Sequence, residues 1–132
     1  MRESNCFIPS HIRFQMHIYL ICPVRLSTPE IRRASDDYVA STEASGHTIF
    51  YPPRDVDQKN ITVEQIVAAE IDAIRTADEV HVFWDINSRG SHFDLGVALG
   101  LGKPVQLIHS YDPDPHGRGY ERVIRAYEQK HE

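Results

Sequence analysis

Short apolar runs alternate along this chain with longer segments in which apolar residues recur every three or four positions. The runs at 17–22, 47–51, 79–84 and 104–108 predict four strands. Each is short, rich in β-branched, aliphatic or aromatic residues, and bounded by Pro, Gly or polar positions. Thr28 followed by Pro29 places an N-cap before a residue suited to the first helical position, so a helix is expected over 29–45, closed by Gly46. Pro52 and Pro53 stop the second strand, and 54–61 reads as a polar loop. The stretch from Thr62 to Gln65 has capping-box form and opens a helix to about Ala77, with Ile66, Ala69 or Glu70, Ala73 and Ala77 near one stripe. A polar, Gly-containing loop at 85–91 leads into a helix expected over 92–101, with Phe93, Val97 and Leu101 along one face and Gly102 as its stop. A turn-rich stretch at 111–119 precedes a last helix over 120–130.

This alternation of strand and helix implies a parallel sheet with right-handed crossovers. The expected fold is α/β, a flavodoxin-like or Rossmann-like three-layer sandwich with strand order 2-1-3-4 and helices on both faces. Residues 1–15 fit the pattern poorly and read as an N-terminal extension, either disordered or packed on a neighbouring subunit. The domain proper is expected over 16–132.

Composition narrows the function classes. The chain has 132 residues, enough for one domain, and a net charge of −5 with His neutral. No basic block is present, which argues against binding duplex nucleic acid through its phosphates, while a nucleotide-sized ligand needs only a few local cations. There is no run long enough to span a membrane and no signal-peptide pattern, so a cytoplasmic protein without membrane partners is expected. Cys6 and Cys22 show no metal or CxxC spacing. The aromatic residues Trp84, Phe93, Tyr120 and Tyr127 exceed what one small core buries, and a symmetric homodimer is expected.

In a parallel sheet the ligand site lies at the carboxyl ends of the strands. The segments there supply Tyr19, Arg25, Ser88, Arg89, Ser91 and His92, and the helix after the third strand supplies Asp94 in its expected first turn. A carboxylate at that point would be held ionised by the helix N-terminus. The preceding helix can add Glu70, Asp72 or Asp78. Two carboxylates near a bound sugar could support nucleophilic or acid–base chemistry at its anomeric carbon. The plainer alternatives are a capping role for Asp94, a solvated face for Glu70 and Asp72, a core position for Tyr19 and a structural His81. His92 has no partners at ligand spacing, so no metal is expected, and carboxylate chemistry of this kind requires no organic cofactor.

The string Ser88-x-Gly90-x-x-Phe93-Asp94-Leu95-Gly96-x-Ala98-x-x-x-Gly102-Lys103-Pro104 resembles the nucleoside 2-deoxyribosyltransferase superfamily, most closely its 2′-deoxynucleoside 5′-phosphate N-hydrolase branch. Ala77-Asp78 before the third strand and Tyr19 and Arg25 around the first are similar as well. The resemblance implies cleavage or transfer at the N-glycosidic bond of a nucleoside or nucleotide by a carboxylate nucleophile. It places that nucleophile at Asp94 and a second carboxylate at Glu70, eight positions before Asp78. Tyr19 would hydrogen-bond near the nucleophile. Ser88 and the Gly90 backbone, with Arg25 close by, would hold a 5′-phosphate or 5′-hydroxyl, and Ser91 and His92 complete the expected substrate-binding loop. The two carboxylates are exchanged in type, with Asp94 standing where the family has Glu and Glu70 where it has Asp. The alternative is a non-catalytic nucleotide-binding or sensor module of the same fold.

Overall fold

Pairing of the four apolar runs sets the architecture. A computed structural model describes residues 15–114 and 117–130. The expected extension, including Cys6, lies almost wholly outside the described residues. Strand β1 (His17–Ile21) leads through helix α1 (Pro29–Ala44) to β2 (Thr48–Phe50). A short helix α2 (Pro52–Asp55) and helix α3 (Val63–Thr76) lead to β3 (Glu79–Trp84), followed by α4 (Arg89–Gly100), β4 (Val105–Ser110) and α5 (Tyr120–Lys130). All pairings are parallel and the strand order is β2-β1-β3-β4, as the alternation predicts. Among the described residues no helix is long and apolar enough to cross a membrane.

Local chemistry fixes the helix ends. The Thr28 side chain accepts from Ile31 N at 3.1 Å, and Pro29 begins α1. Thr62 and Gln65 close a reciprocal capping box at 3.2 and 2.9 Å. Gly46 and Gly102 follow α1 and α4 at φ 99° and 71°, a left-handed conformation that costs glycine little. Lys103 donates through Nζ to the carbonyls of Arg75 and Ala77 at 2.6 and 2.8 Å, so it satisfies the open carboxyl end of α3.

The sheet buries both faces. Val80, Val82 and Trp84 pack with Ile74 of α3, Leu95 and Ala98 of α4 and Ile124 of α5. Ile18, Leu20, Ile49 and Phe83 pack with Val39 of α1 on the other face. Trp84 is fully buried and Tyr127 packs against the core, which leaves Phe93 and Tyr120 as the exposed members of the four aromatics.

Three expectations need correction. The Pro52-Pro53 pair opens a turn of helix instead of only ending a strand, because proline suits the first helical positions. Strand β4 runs on to Ser110, with a register irregularity between Val82 and Phe83 on its partner. Helix α4 begins at Arg89, capped by Ser88, and its buried positions are Ser91, Asp94, Leu95 and Ala98. Phe93 and Leu101, which share one face in the sequence pattern, are exposed.

Candidate active site

The earlier start of α4 moves Asp94 into the second helical turn and onto the buried stripe. On α3 the buried stripe is Ile66, Glu70 and Ile74. The two helices pack on the same face of the sheet, which brings Glu70 and Asp94 together above Tyr19 of β1. Asp94 is 6% exposed and Glu70 9%. The Tyr19 hydroxyl donates to Asp94 Oδ2 at 2.8 Å, and its ring stacks on Phe50 with centroids 5.5 Å apart.

Burial dominates the electrostatics. Asp94 has its pKa raised by desolvation and by the neighbouring Glu70 carboxylate, and Glu70 is raised by desolvation. The expected ionisation of Asp94 by the helix dipole is thereby overturned: Asp94 lies past the first turn, and loss of water outweighs a dipole felt mainly there. The buried Asp94 Oδ1 has no donor among the described residues. A proton held between the two carboxyls would supply it, as two close carboxyls in low dielectric favour. Tyr19 is raised by burial and by Asp94, so it stays a donor through the neutral range.

The pair lies in a cavity of about 720 Å³ at the carboxyl edge of the sheet. One wall is polar, formed by Asn87, Ser88, Arg89 and Gly90 where α4 begins. The Ser88 side chain accepts from Ser91 N at 3.2 Å, and helical geometry leaves the Arg89 and Gly90 N–H groups without intrahelical acceptors. A β-carbon at Gly90 would meet nothing within 4 Å. Arg25 and Arg89 line the cavity and have no ion-pair partner among the described residues. The opposite wall holds Val24, Ile66, Val67 and Gln58. At the mouth, Leu26 is 95% exposed, Val63 62% and Phe93 46%. Leu26 also has φ 57°, a left-handed conformation unusual for a branched side chain.

Of the residues singled out by sequence, Tyr19, Glu70 and Asp94 meet, and Arg25, Ser88 and Gly90 line the same cavity. Ser91 is buried under the loop, where its hydroxyl lies 2.8 Å from that of Ser88. His92 is placed away from the cavity: Nδ1 donates to the Ser88 carbonyl at 2.8 Å, and the ring packs on Trp84 and Tyr120. Asp78 is at the opposite edge of the sheet, accepting from His17 N at 2.8 Å, and Asp72 is exposed beside Arg75. His81 bonds Tyr38 at 2.6 Å within the core. Cys22 is buried at the end of β1 with its thiol pushed up to about 12 by desolvation, which makes it a poor nucleophile. Sequence reasoning missed Gln58, Asn87 and Val63. The available signal was position: Asn87 follows β3 directly, and Gln58 and Val63 lie in the connection between β2 and the start of α3. No cluster of three metal-ligating side chains occurs among the described residues.

No protein-family model and no curated protein sequence matches the chain. Solved structures do. The 2-deoxyribosyltransferase of the psychrotolerant bacterium Bacillus psychrosaccharolyticus is similar at a TM-score of 0.65 and 23% identity, over 84% of this chain and 81% of that one. The CMP N-glycosidase BcmB of Clostridium botulinum is similar at 0.60 and 18% identity, over the same shares of 84% and 81%. The 2-deoxyribosyltransferase of Leishmania mexicana gives 0.57 and 22% identity over 73% of this chain and 65% of that one. The chain thus has the fold of 2-deoxyribosyltransferase and N-glycosidase structures, and carries a buried carboxylate pair at the carboxyl edge of its sheet.

Proposed function

We propose that this protein belongs to the nucleoside 2-deoxyribosyltransferase superfamily and breaks or exchanges the N-glycosidic bond of a nucleoside or nucleotide. The observation that carries the reading is the Asp94–Glu70 pair, anchored by Tyr19 at the floor of a cavity with one apolar and one polar wall. Structures sharing the fold are named as a deoxyribosyltransferase and a CMP N-glycosidase, which supports the same substrate class.

In the active form the shared proton sits on Glu70 and Asp94 is ionised. Asp94 attacks the anomeric carbon as the bond to the base breaks. The bonding electrons leave on the base nitrogen, which takes the proton from Glu70. Water then attacks the same carbon, returning its proton to Glu70 and freeing Asp94. A second base in place of water completes a transfer instead. Tyr19 holds the orientation of Asp94. Ser88, the first N–H groups of α4, Arg25 and Arg89 receive a 5′-hydroxyl or 5′-phosphate. A second copy of the chain covers exposed Phe93 at the mouth, giving a homodimer measurable by light scattering.

The test is chromatography of free base after incubation with a panel of nucleosides and deoxynucleotides. Release by the wild type, abolished in Asp94→Ala with ligand binding retained, is the expected result. Ligand-dependent thermal stabilisation without base release would establish the non-catalytic binding module instead.

A further inference from the structure

A second groove, of about 660 Å³, lies between α3 and the strands β1 and β2, on the edge-strand side of the sheet. Ala69, Ala73 and Ala77 recur every fourth residue along it, and their small side chains leave it open above half-buried Phe50. Its acidic lining residues are Asp55 and Asp72, and among the described residues no Lys or Arg lines it. Asp72 is exposed, with a single 3.5 Å contact to Arg75.

The groove is not a place for an added strand. Arg54 Nη2 donates to the Ile49 carbonyl at 3.0 Å, and Asp55 Oδ2 accepts from Tyr51 N at 2.8 Å. These side chains blunt the outer backbone of β2, so an occupant must hold on by its own side chains.

The chain itself supplies one at the right point. The Met16 carbonyl accepts from Thr48 N at 3.0 Å, and His17 and Thr48 both line the groove, so residues 1–14 are tethered at its end. Residues 4–14 include Phe7, Ile8, Ile12, Phe14 and Arg13, and no acidic residue. Phe7 to Phe14 can extend over roughly 26 Å. Helix α3 has 14 residues, a length of about 21 Å. The short tether also gives this segment an effective concentration that a second copy of the chain does not reach in dilute solution.

We propose that residues 7–14 dock in this groove of their own chain. Phe7, Ile8, Ile12 and Phe14 cover the alanine stripe and Phe50, and Arg13 lies beside Asp72. The segment then braces, from outside, the helix that carries Glu70 on its inner stripe.

The test is hydrogen exchange of the full chain read by mass spectrometry, with light scattering on the same samples. In the wild type, peptides covering 7–14 should exchange at least about tenfold more slowly than a free chain. Ala69→Arg and, separately, Thr48→Arg put a long cation into the groove at exposed positions and should return those peptides to the free-chain rate. Phe7→Ser combined with Ile8→Ser leaves the packed domain unaltered and should speed exchange at 69–76 by about threefold, which keeps the proposal testable if a groove variant fails to fold. Free-chain exchange of 7–14 in the wild type would overturn the proposal. So would protection that survives both groove variants, or exchange at 69–76 that ignores the double substitution. Protection present only at concentrations where a dimer forms would give the groove to a second copy and overturn it as well.

Discussion

Tyr19 and Asp94 stand 75 positions apart in the chain, and the hydroxyl of the first donates to Oδ2 of the second at 2.8 Å. The bond joins the central strand to the second turn of α4, so it fixes where the carboxylate sits relative to the sheet. Tyr19→Phe removes the hydroxyl that donates to Asp94 Oδ2 and leaves that oxygen without it. Turnover should fall on the order of tenfold to a hundredfold with KM little changed, and stability by about 1–3 kcal/mol. Steady-state kinetics and denaturant titration would read the two effects separately.

Burial of the acid pair also makes stability depend on pH. The folded-state pKa of Asp94 is raised to about 7, whereas an unfolded Asp titrates near ~3.9. Between those values the folded chain holds a proton that the unfolded chain has released. Stability therefore declines as pH rises through that window and stays low above it. Asp94→Asn keeps an acceptor for Tyr19 and removes the charge. It should raise stability by about 1–3 kcal/mol at pH 8 and have little effect near pH 4, as thermal melts across that range would show.

The same pair shapes the activity profile. The productive form holds one proton between Asp94 and Glu70, so kcat/KM should be bell-shaped. It should fall on the alkaline side as the pair loses its last proton near pH 7, and on the acid side as it gains a second. Glu70→Gln should remove the alkaline limb. A flat profile between pH 5 and pH 9 would show that the pair does not carry the reaction.

Gly90 separates folding from binding. A methyl group there meets no protein atom within 4 Å, and alanine favours the helix by about 1 kcal/mol. The same methyl would occupy space where a ligand approaches the α4 N–H groups. Gly90→Ala should therefore melt higher and bind nucleotides more weakly, by on the order of tenfold, as paired thermal-shift and titration measurements would reveal.

Local signals carried most of the fold. Strands were legible because a parallel sheet buried on both faces needs continuous apolar runs, and the helices because Thr28-Pro29, Thr62 with Gln65, Gly46 and Gly102 act through their own backbone neighbourhoods. Tertiary facts were harder to read. Helix α4 lacks a clean apolar stripe, since the sheet accepts Ser91, Asp94, Leu95 and Ala98 while Phe93 turns outward, so neither its start nor its buried stripe is legible in the apolar pattern. Asp94 and Glu70 were found as residues, but the inversion of Asp94's electrostatics comes from desolvation, which only packing creates. Gln58 was invisible because its orientation is set by the carbonyl of Pro52, in a segment that reads as a plain loop.

The wet apolar rim of Leu26, Val63 and Phe93 has a calorimetric consequence. Water over these side chains is released when a flat ligand or a second protomer covers them. Association should then carry a negative heat-capacity change. Its enthalpy should grow more favourable on warming, and the apolar part of the affinity should weaken in the cold. Titrations repeated at several temperatures would show the enthalpy sloping downward, and Leu26→Ser should flatten that slope, since Leu26 is the most exposed of the three.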